Sequence, residues 1–426
     1  MLEKDLRAGG SIHTEKEDGY LIERGPNSTL DIYQEVDDLC NELGIISDKI
    51  FADSNTRNRY VVRGGRLRTL PTGLWQFLTT DLWSIRGKLR LLGEPFIPKY
   101  SGASEESIAG FVKRRTGQEF LDYAIDPFAT GIFAGDPSRL SLKSCFPKMY
   151  SLEQEYGGLV KGAIFGRKKG GEPKRKMRLF SFKNGLQTLP DALIKILGNR
   201  FIGGWEVTSL KKDNTGFEIS GKRGGHEEVL RADRVVLAAP AWVTANMIHP
   251  LSELIAANLM KIEYVPVVIV FTGFDRGHIK HNLDGFGFLI PSKESGQNGH
   301  SILGSIWSSA IFPGRAPDGK VAFTNILGGT RKTDILEYSD KELTDMTLRD
   351  LKTILNVEAK PEFLRIIRQP RAIPQYTLGH QGRADSIIKG AGEIQGLYLT
   401  GNYFNGVSVG HCIAEATRLA QKLIKN

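Results

Sequence analysis

The sequence predicts an α/β domain of the Rossmann-like, dinucleotide-binding kind, incomplete at its N-terminal end, joined to a mainly antiparallel α+β domain and a helical insertion. Three stretches predict it. The opening "MLEKDLRAGGSI" sets an acid, Glu3, before a basic loop and a Gly-Gly pair. That order belongs to the end of the second strand of such a domain, where the acid meets ribose hydroxyls. "RADRVVLAAP" is an apolar run ending in small residues, the pattern of a buried parallel strand whose C-terminal end meets a ligand. "GLYLTGNYFNGVSVGHCIAEATRLAQKLI" reads as strand, glycine-rich turn and helix. A helix starting near Val409 or His411 aims its free N–H groups back at that turn, a ready anion or carbonyl site.

The elements follow in order. Ile32, Val36, Leu39 and Leu43 recur at helical spacing, and Gly44 is the stop. "RNRYVVRGGRLRTLP" predicts two short strands around a Gly-Gly turn. Helical patterns broken by Gly and Pro fill 70–165, the insertion. "RLFSFKNGLQTLPDALIKIL" returns to strand, turn and helix. Residues 205–240 alternate as sheet does, and "VPVVIVFTGF", "GFGFLI", "SILGSIW" and "VAFTNILGG" are strand runs of a second domain over 266–369. The dinucleotide-binding domain is then discontinuous, built from 1–60, 180–265 and 370–426.

The chain has 426 residues, 40% hydrophobic and 25% charged, ordinary for a globular protein with a large core. No apolar run reaches the roughly 18 residues of a bilayer span, and residues 1–10 lack the apolar stretch of a signal peptide, so membrane contact is expected to be peripheral. Cys40, Cys145 and Cys412 are scattered, without metal-ligand spacing, which fits a reducing cytosol and predicts no metal site. The net charge of +9 is concentrated in part between Arg167 and Arg178, read as a solvated loop. No nucleic-acid module is present in the pattern, and no nucleic-acid partner is expected. "GLWQFLTTDLW" puts Trp75, Phe77 and Trp83 beside Arg86, Lys88 and Arg90, a mix that suits a lipid interface as well as an amphipathic core helix.

Together with "DGYLIERGPNST" and "GNYFNGVSVGHCIAEA", the opening stretch resembles the flavin-containing amine oxidase superfamily. The resemblance narrows to the oxygen-dependent protoporphyrinogen oxidase family on "DPFATGIFAGDPSRLSLKSCFPKMYSLEQEYGGLVKGAI", "FSFKNGLQTLPDAL", "GFGFLIP", "SIWSSAIFPGRAPDGK" and "QPRAIPQYTLGH". It covers essentially the whole chain. It implies noncovalent FAD, a porphyrinogen substrate that loses six electrons in two-electron steps, and dioxygen as acceptor, with peroxide released. It also implies a place on the cytoplasmic face of a membrane and admits a homodimer.

Carried over residue by residue, Glu3 resembles the ribose ligand, and Gly9, Gly10 and Ser11 the loop beside phosphates and flavin. Gly25, Pro26, Asn27 and Ser28 resemble the segment passing the isoalloxazine. Val207 matches the position whose backbone meets adenine, and Gly401, Asn402, Gly406, Val407 and Ser408 the closing FAD turn. Gly131, Leu289 and Phe312 match the substrate-cavity lining; as bare sequence, Leu289 and Phe312 also read as core and Gly131 as a helix stop. Hydride transfer to a flavin asks for flat apolar enclosure rather than an acid–base pair, so no catalytic base is named. Substrate carboxylates call for a cation, and Arg63, Arg66 and above all Arg68 are the candidates. Trp75 stands where some relatives place an arginine.

Relatives in that family carry a strand and a GxGxxG-started helix ahead of the glutamate, and neither Gly64-Gly65 nor Gly170-Gly171 replaces them, since neither pair follows a buried strand and opens a helix. The sequence therefore predicts that the start lies late or that the chain is a fragment or decayed copy, with weak FAD binding as it stands. Three readings follow: a flavin-dependent porphyrinogen oxidase, a noncatalytic porphyrin-binding remnant, and another amine or carotenoid oxidoreductase of the superfamily. The intact glycine motifs favour the first. A single tight Arg cluster favours protoporphyrinogen, with two propionates, over coproporphyrinogen III, with four.

Overall fold

The computed structural model describes residues 1–165 and 177–425. Arg167 to Lys176, the bulk of the basic run, and the Gly170-Gly171 pair lie outside the described residues.

β1 (Thr14–Glu17) and β2 (Tyr20–Glu23) form a hairpin whose turn residues, Asp18 and Gly19, both have positive φ. α1 (Gln34–Glu42) buries Val36 and Cys40 and stops at Gly44, at φ +70°. β3 (Asn58–Arg63) and β4 (Arg66–Thr69) form the predicted hairpin, Arg63 opposite Arg66, with Gly64 and Gly65 at φ +61° and +70°. Two consecutive positive-φ residues give the turn whose twist matches that of paired strands, which is why glycines occupy both places. The insertion then supplies α2 (Leu74–Thr79), α3 (Ile85–Leu92), α4 (Ile108–Thr116) and α5 (Asp126–Phe133).

After α6 (Thr188–Leu197) come β5 (Trp205–Asp213), the first strand of an antiparallel three-stranded sheet, and β6 (Val235–Leu237). The second domain holds β7 (Tyr264–Asp275), β8 (Gly285–Leu289), β9 (Ile302–Ile306), β10 (Lys320–Gly328) and β11 (Phe363–Pro374). α7 (His380–Glu393), β12 (Leu397–Leu399) and α8 (Val409–Lys425) close the chain.

One seven-stranded sheet, ordered β11-β7-β10-β9-β8-β3-β4, forms the second domain. Its neighbours are antiparallel except β8 and β3, which run parallel. β7, β9 and β10 are almost wholly buried, and Val268, Val270, Phe323 and Trp307 have no exposed surface. The sheet includes residues 58–69, far ahead of its other strands, and its last strand runs to Pro374. The local sequence predicts this hairpin but not its partner: Asn58 pairs with Gly285 of β8, more than 200 residues further on.

"RADRVVLAAP" supplies a parallel strand, as read from sequence, and its partner is "GLYLTG": β6 and β12 are parallel, Val235 opposite Leu397. Among the described residues they pair only with each other, and Val236 is exposed. Nearby, Leu2 bridges Ile202 in parallel.

His380, fully buried at the start of α7, stacks on Tyr376 with centroids 4.1 Å apart and faces the Phe404 carbonyl oxygen at 3.3 Å. Burial pushes its imidazole down to about 4. The folded value lies below the ordinary one, so the contribution to stability is full above about pH 6.5 and is lost as pH falls towards 4. We expect the drop in unfolding free energy between about pH 7 and pH 5 to be ~2 kcal/mol smaller in His380→Gln than in the parent. Equal drops in urea titrations at the two pH values would refute this.

Candidate functional site

Three segments distant in sequence are tied together, the last of them following β12 directly. The first is the loop after Glu3. The Glu3 backbone N–H donates to the Ile202 carbonyl at 3.0 Å and its carbonyl accepts from Trp205 N–H at 2.9 Å. That sets Glu3 beside Trp205, the first residue of β5 and two residues before Val207. Arg7 then ties the loop shut, donating to the carbonyls of Ile12 at 2.6 Å and Gly10 at 2.8 Å and to the Gln187 side chain at 2.9 Å. Gly9 has φ +114°, and a Cβ there would lie 2.7 Å from the Ile12 carbonyl oxygen.

The second segment is 25–29. A Cβ on Gly25 would fall 1.9 Å from the Ser11 carbonyl oxygen, so this chain presses directly on the first loop. Asn27 follows, its amide donating to Ser308 Oγ at 3.4 Å, and Ser308 is hydrogen-bonded to Thr324 at 2.8 Å. The Asn27 Oδ1 atom is buried without a partner. A hydrogen-bonded chain thus runs from this segment into β10, with an acceptor left for a ligand N–H. Pro26 and Ser28 flank it, and Thr29 Oγ1 accepts the Gly410 N–H at 3.2 Å, fastening the segment to α8.

The third is the turn 401–408. Gly401 has φ +156°, and a Cβ there would lie 2.5 Å from the Tyr403 ring. Tyr376 O–H donates to the Asn402 carbonyl at 2.5 Å. A Cβ on Gly406 would lie 2.7 Å from the His411 ring, and Ser408 Oγ accepts the His411 N–H at 3.2 Å, capping α8. Val407 packs against the buried cluster that includes Phe133 of α5 and Tyr376. His411 faces Tyr33 O–H at 2.9 Å, and burial lowers its pKa, so α8 begins without a full positive charge at neutral pH.

Glu23 and Arg315 brace the cradle from behind. Both are buried, 3.5 Å apart, and Glu23 also accepts from Thr14 Oγ1 at 2.7 Å and Leu186 N–H at 2.9 Å. Burial raises the Glu23 carboxyl and lowers the Arg315 guanidinium, each partly offset by the other. Sequence reading passed over both, because single charges inside "YLIERG" and "FPGRAP" carry no local sign of burial.

The predicted substrate residues divide. Gly131 and Leu289 do meet: a Cβ on Gly131 would lie 3.1 Å from Leu289 Cδ2. Gly131 is exposed in mid-helix in α5, where it leaves bare backbone. Phe128, one turn earlier and also exposed, stacks on Phe146 at 5.6 Å. α5 is held by Asp126, which accepts from Ser292 N–H and Oγ, both at 2.7 Å, and faces Arg331 at 3.3 Å. Phe312, by contrast, has no exposed surface and lies 5.5 Å from the Arg315 guanidinium, a core position.

Of the arginines, Arg63 pairs with Glu119 at 2.8 Å and lies over Tyr123, and Arg68 pairs with Asp81 at 3.0 Å. Arg66 is exposed at the hairpin turn. Among the described residues no cluster of His, Cys, Asp and Glu could hold a metal.

These features fit FAD: glycine-lined backbone for a pyrophosphate and flat ring, a capped helix start facing the turn, and a buried unpartnered acceptor at Asn27. Residues 1–424 match the flavin containing amine oxidoreductase family. Protoporphyrinogen oxidase 1, chloroplastic, of Spinacia oleracea is 35% identical over 445 residues, covering 98% of this chain and 77% of that protein. Coproporphyrinogen III oxidase of Bacillus subtilis is 31% identical over 427 residues, 97% of this chain and 88% of that protein. Among solved structures, the Exiguobacterium sp. 255-15 protein assigned as a protoporphyrinogen oxidase aligns with a TM-score of 0.81 at 22% identity, covering 99% of this chain and 92% of the other. Reduced UDP-galactopyranose mutase aligns with a TM-score of 0.74 at 14% identity, covering 100% and 88%. The last two likenesses speak to the fold.

Proposed function

The chain belongs to the flavin containing amine oxidoreductase family, and from that membership we propose that it is an FAD-dependent porphyrinogen oxidase, with protoporphyrinogen IX as substrate and dioxygen as electron acceptor. Its near-full-length relatedness to enzymes of that name carries this reading. Bound FAD supplies the hydride acceptor. The chain's own residues do the rest: the Gly131 backbone and Leu289 offer a flat apolar wall, Asn27 Oδ1 offers an acceptor for an N–H, and Ser308 and Thr324 fix the Asn27 amide. Such work is enclosure and orientation, the contribution a protein makes when the cofactor carries the chemistry.

The cation count supports protoporphyrinogen over coproporphyrinogen. Arg63 and Arg68 are spent on Glu119 and Asp81, which leaves Arg66 as the uncommitted member of the cluster. Four propionates would ask for more. Assayed by porphyrin fluorescence under equal conditions, the flavin-loaded protein is expected to show the higher kcat/KM with protoporphyrinogen. Preference for coproporphyrinogen would reverse the substrate assignment.

Gly131→Leu tests the wall. A side chain there must displace Leu289 or occupy the space before it, an overpacking worth about 1–3 kcal/mol, or roughly fivefold to a hundredfold in KM. The flavin spectrum should not change. Unaltered KM in a folded variant would remove Gly131 from the substrate site.

A further inference from the structure

α5 is gripped at its start, middle and end. At the start Asp126 accepts from Ser292 N–H and Oγ, both at 2.7 Å. Midway Thr130 Oγ1 accepts from Arg331 Nη2 at 3.0 Å, and at the end the Ala134 carbonyl accepts the Thr330 N–H at 2.8 Å. The last two grips come from one short segment, Gly329–Arg331, which follows β10 directly. It lies hard against the helix end, since a Cβ on Gly329, at φ +65°, would stand 2.2 Å from the Ala134 carbonyl oxygen.

Arg331 reaches the facing strand as well. Its Nη1 donates to the Ile290 carbonyl at 2.6 Å and to Ser295 Oγ at 3.3 Å, and its Nη2 also faces Asp126 at 3.3 Å. Thr130 precedes Gly131 and Ile290 follows Leu289, so a single guanidinium is bonded to the immediate neighbours of both residues of the substrate wall. Both terminal nitrogens are committed to protein oxygens, so Arg331 acts through its neighbours and not on substrate. Asp126, Ser292, Thr330 and Arg331 line a cleft of about 370 Å³. On that side hydrogen bonds, not packed side chains, hold α5 against the strand end. β10 also carries Thr324, so one strand leads from the Asn27–Ser308–Thr324 chain to this clamp.

We propose that Arg331 is a positioning residue for porphyrinogen binding, its planar fork setting the gap between Gly131 and Leu289 by bonding Thr130 and Ile290 at once. The inference rests on the porphyrinogen reading. A lysine keeps the charge but lacks the fork that spans both acceptors.

The flavin-loaded protein is assayed for porphyrinogen oxidation, and protoporphyrin IX binding is followed separately, without turnover, by quenching of tryptophan fluorescence. Arg331→Gln should raise KM and the porphyrin Kd together by about tenfold, and Thr130→Val by about threefold, with an unchanged flavin spectrum. kcat should stay within about twofold, the mark of lost uniform binding. Arg331→Lys should remain nearer to Arg331→Gln than to the parent. Thr130→Val keeps the side-chain volume, removes one arm of the clamp and carries the test if Arg331→Gln does not fold. In a Leu289→Ala background, where one side of the gap is already gone, Arg331→Gln should add less than about twofold. Unchanged KM and Kd in a folded Arg331→Gln or Thr130→Val, full recovery by lysine, or losses additive with Leu289→Ala would each overturn the proposal while leaving the porphyrinogen reading intact. A parent protein that neither oxidises porphyrinogen nor binds the porphyrin defeats that reading, and this inference with it.

Discussion

Arg115→Met lowers the unfolding free energy by about 3–5 kcal/mol, the largest stability loss we expect from any single charge in this protein. Arg115 has no exposed surface. Its Nε donates to Glu94 at 2.7 Å and its Nη1 to Glu153 at 2.9 Å, and both carboxylates are buried. Nη1 and Nη2 also reach the carbonyls of Ile97 and Gly157. Glu94 in turn accepts the N–H groups of Leu159 and Val160 at 2.8 and 3.1 Å. One guanidinium therefore ties its own helix to the segments 94–97 and 153–157, and Glu94 extends the tie to Leu159 and Val160. Methionine keeps the length and the apolar stem but strands two buried carboxylates, of which only Glu153 retains a second cation, Arg114 at 2.9 Å. Arg115→Lys keeps the charge without the fork and should fall between. Urea unfolding of the three proteins decides it, and a loss under about 1 kcal/mol in Arg115→Met would mean that the pair contributes no more than a surface ion pair.

That network also marks where sequence stopped being informative. "VKRRTG" carries no local sign that Arg115 is buried, because its burial depends on Glu94 and Glu153, which lie 21 and 38 residues away. The same holds for Arg63 and Arg68, whose partners Glu119 and Asp81 turn candidate ligands into structural ties. Phe312 matched a family position yet lies in the core, while Phe128, inside the same "DPFATG" that nominated Gly131, is the exposed aromatic beside it. What was legible depended on backbone chemistry. The Gly64-Gly65 hairpin, the stop at Gly44 and the turn into α8 are each dictated by a few adjacent residues. That Glu3 would sit against the start of β5 was not legible from periodicity, which carries no long-range information. Exposure of the α2–α3 face was only half legible: the composition was visible, but which aromatics point outward depends on where Trp83 finds Phe120.

Gly25→Ala should cost the protein its flavin. Gly25 does not have a left-handed φ, so alanine is compatible with its backbone, and the whole penalty comes from proximity. The missing Cβ would stand 1.9 Å from the Ser11 carbonyl oxygen, far inside contact distance, and the obstacle is backbone, which cannot rotate away. The loop 9–11 is itself pinned, by Arg7 to the Gly10 and Ile12 carbonyls, and 25–29 is pinned through Thr29 to α8. Neither side yields without breaking such bonds, and both flank the proposed cofactor. Displacing them by an ångström misplaces several ligand contacts at once, for which a loss of about tenfold or more in flavin affinity, ~1.4 kcal/mol, is a modest expectation. Gly10→Ala provides the contrast. Its φ is +54° but nothing lies within 4 Å of a Cβ there, so it should cost about 1 kcal/mol of stability from backbone strain and leave flavin binding nearly intact. The ratio of flavin to protein absorbance after gel filtration separates the two variants. Full flavin occupancy in Gly25→Ala would show that the contact between these loops does not shape the cofactor site.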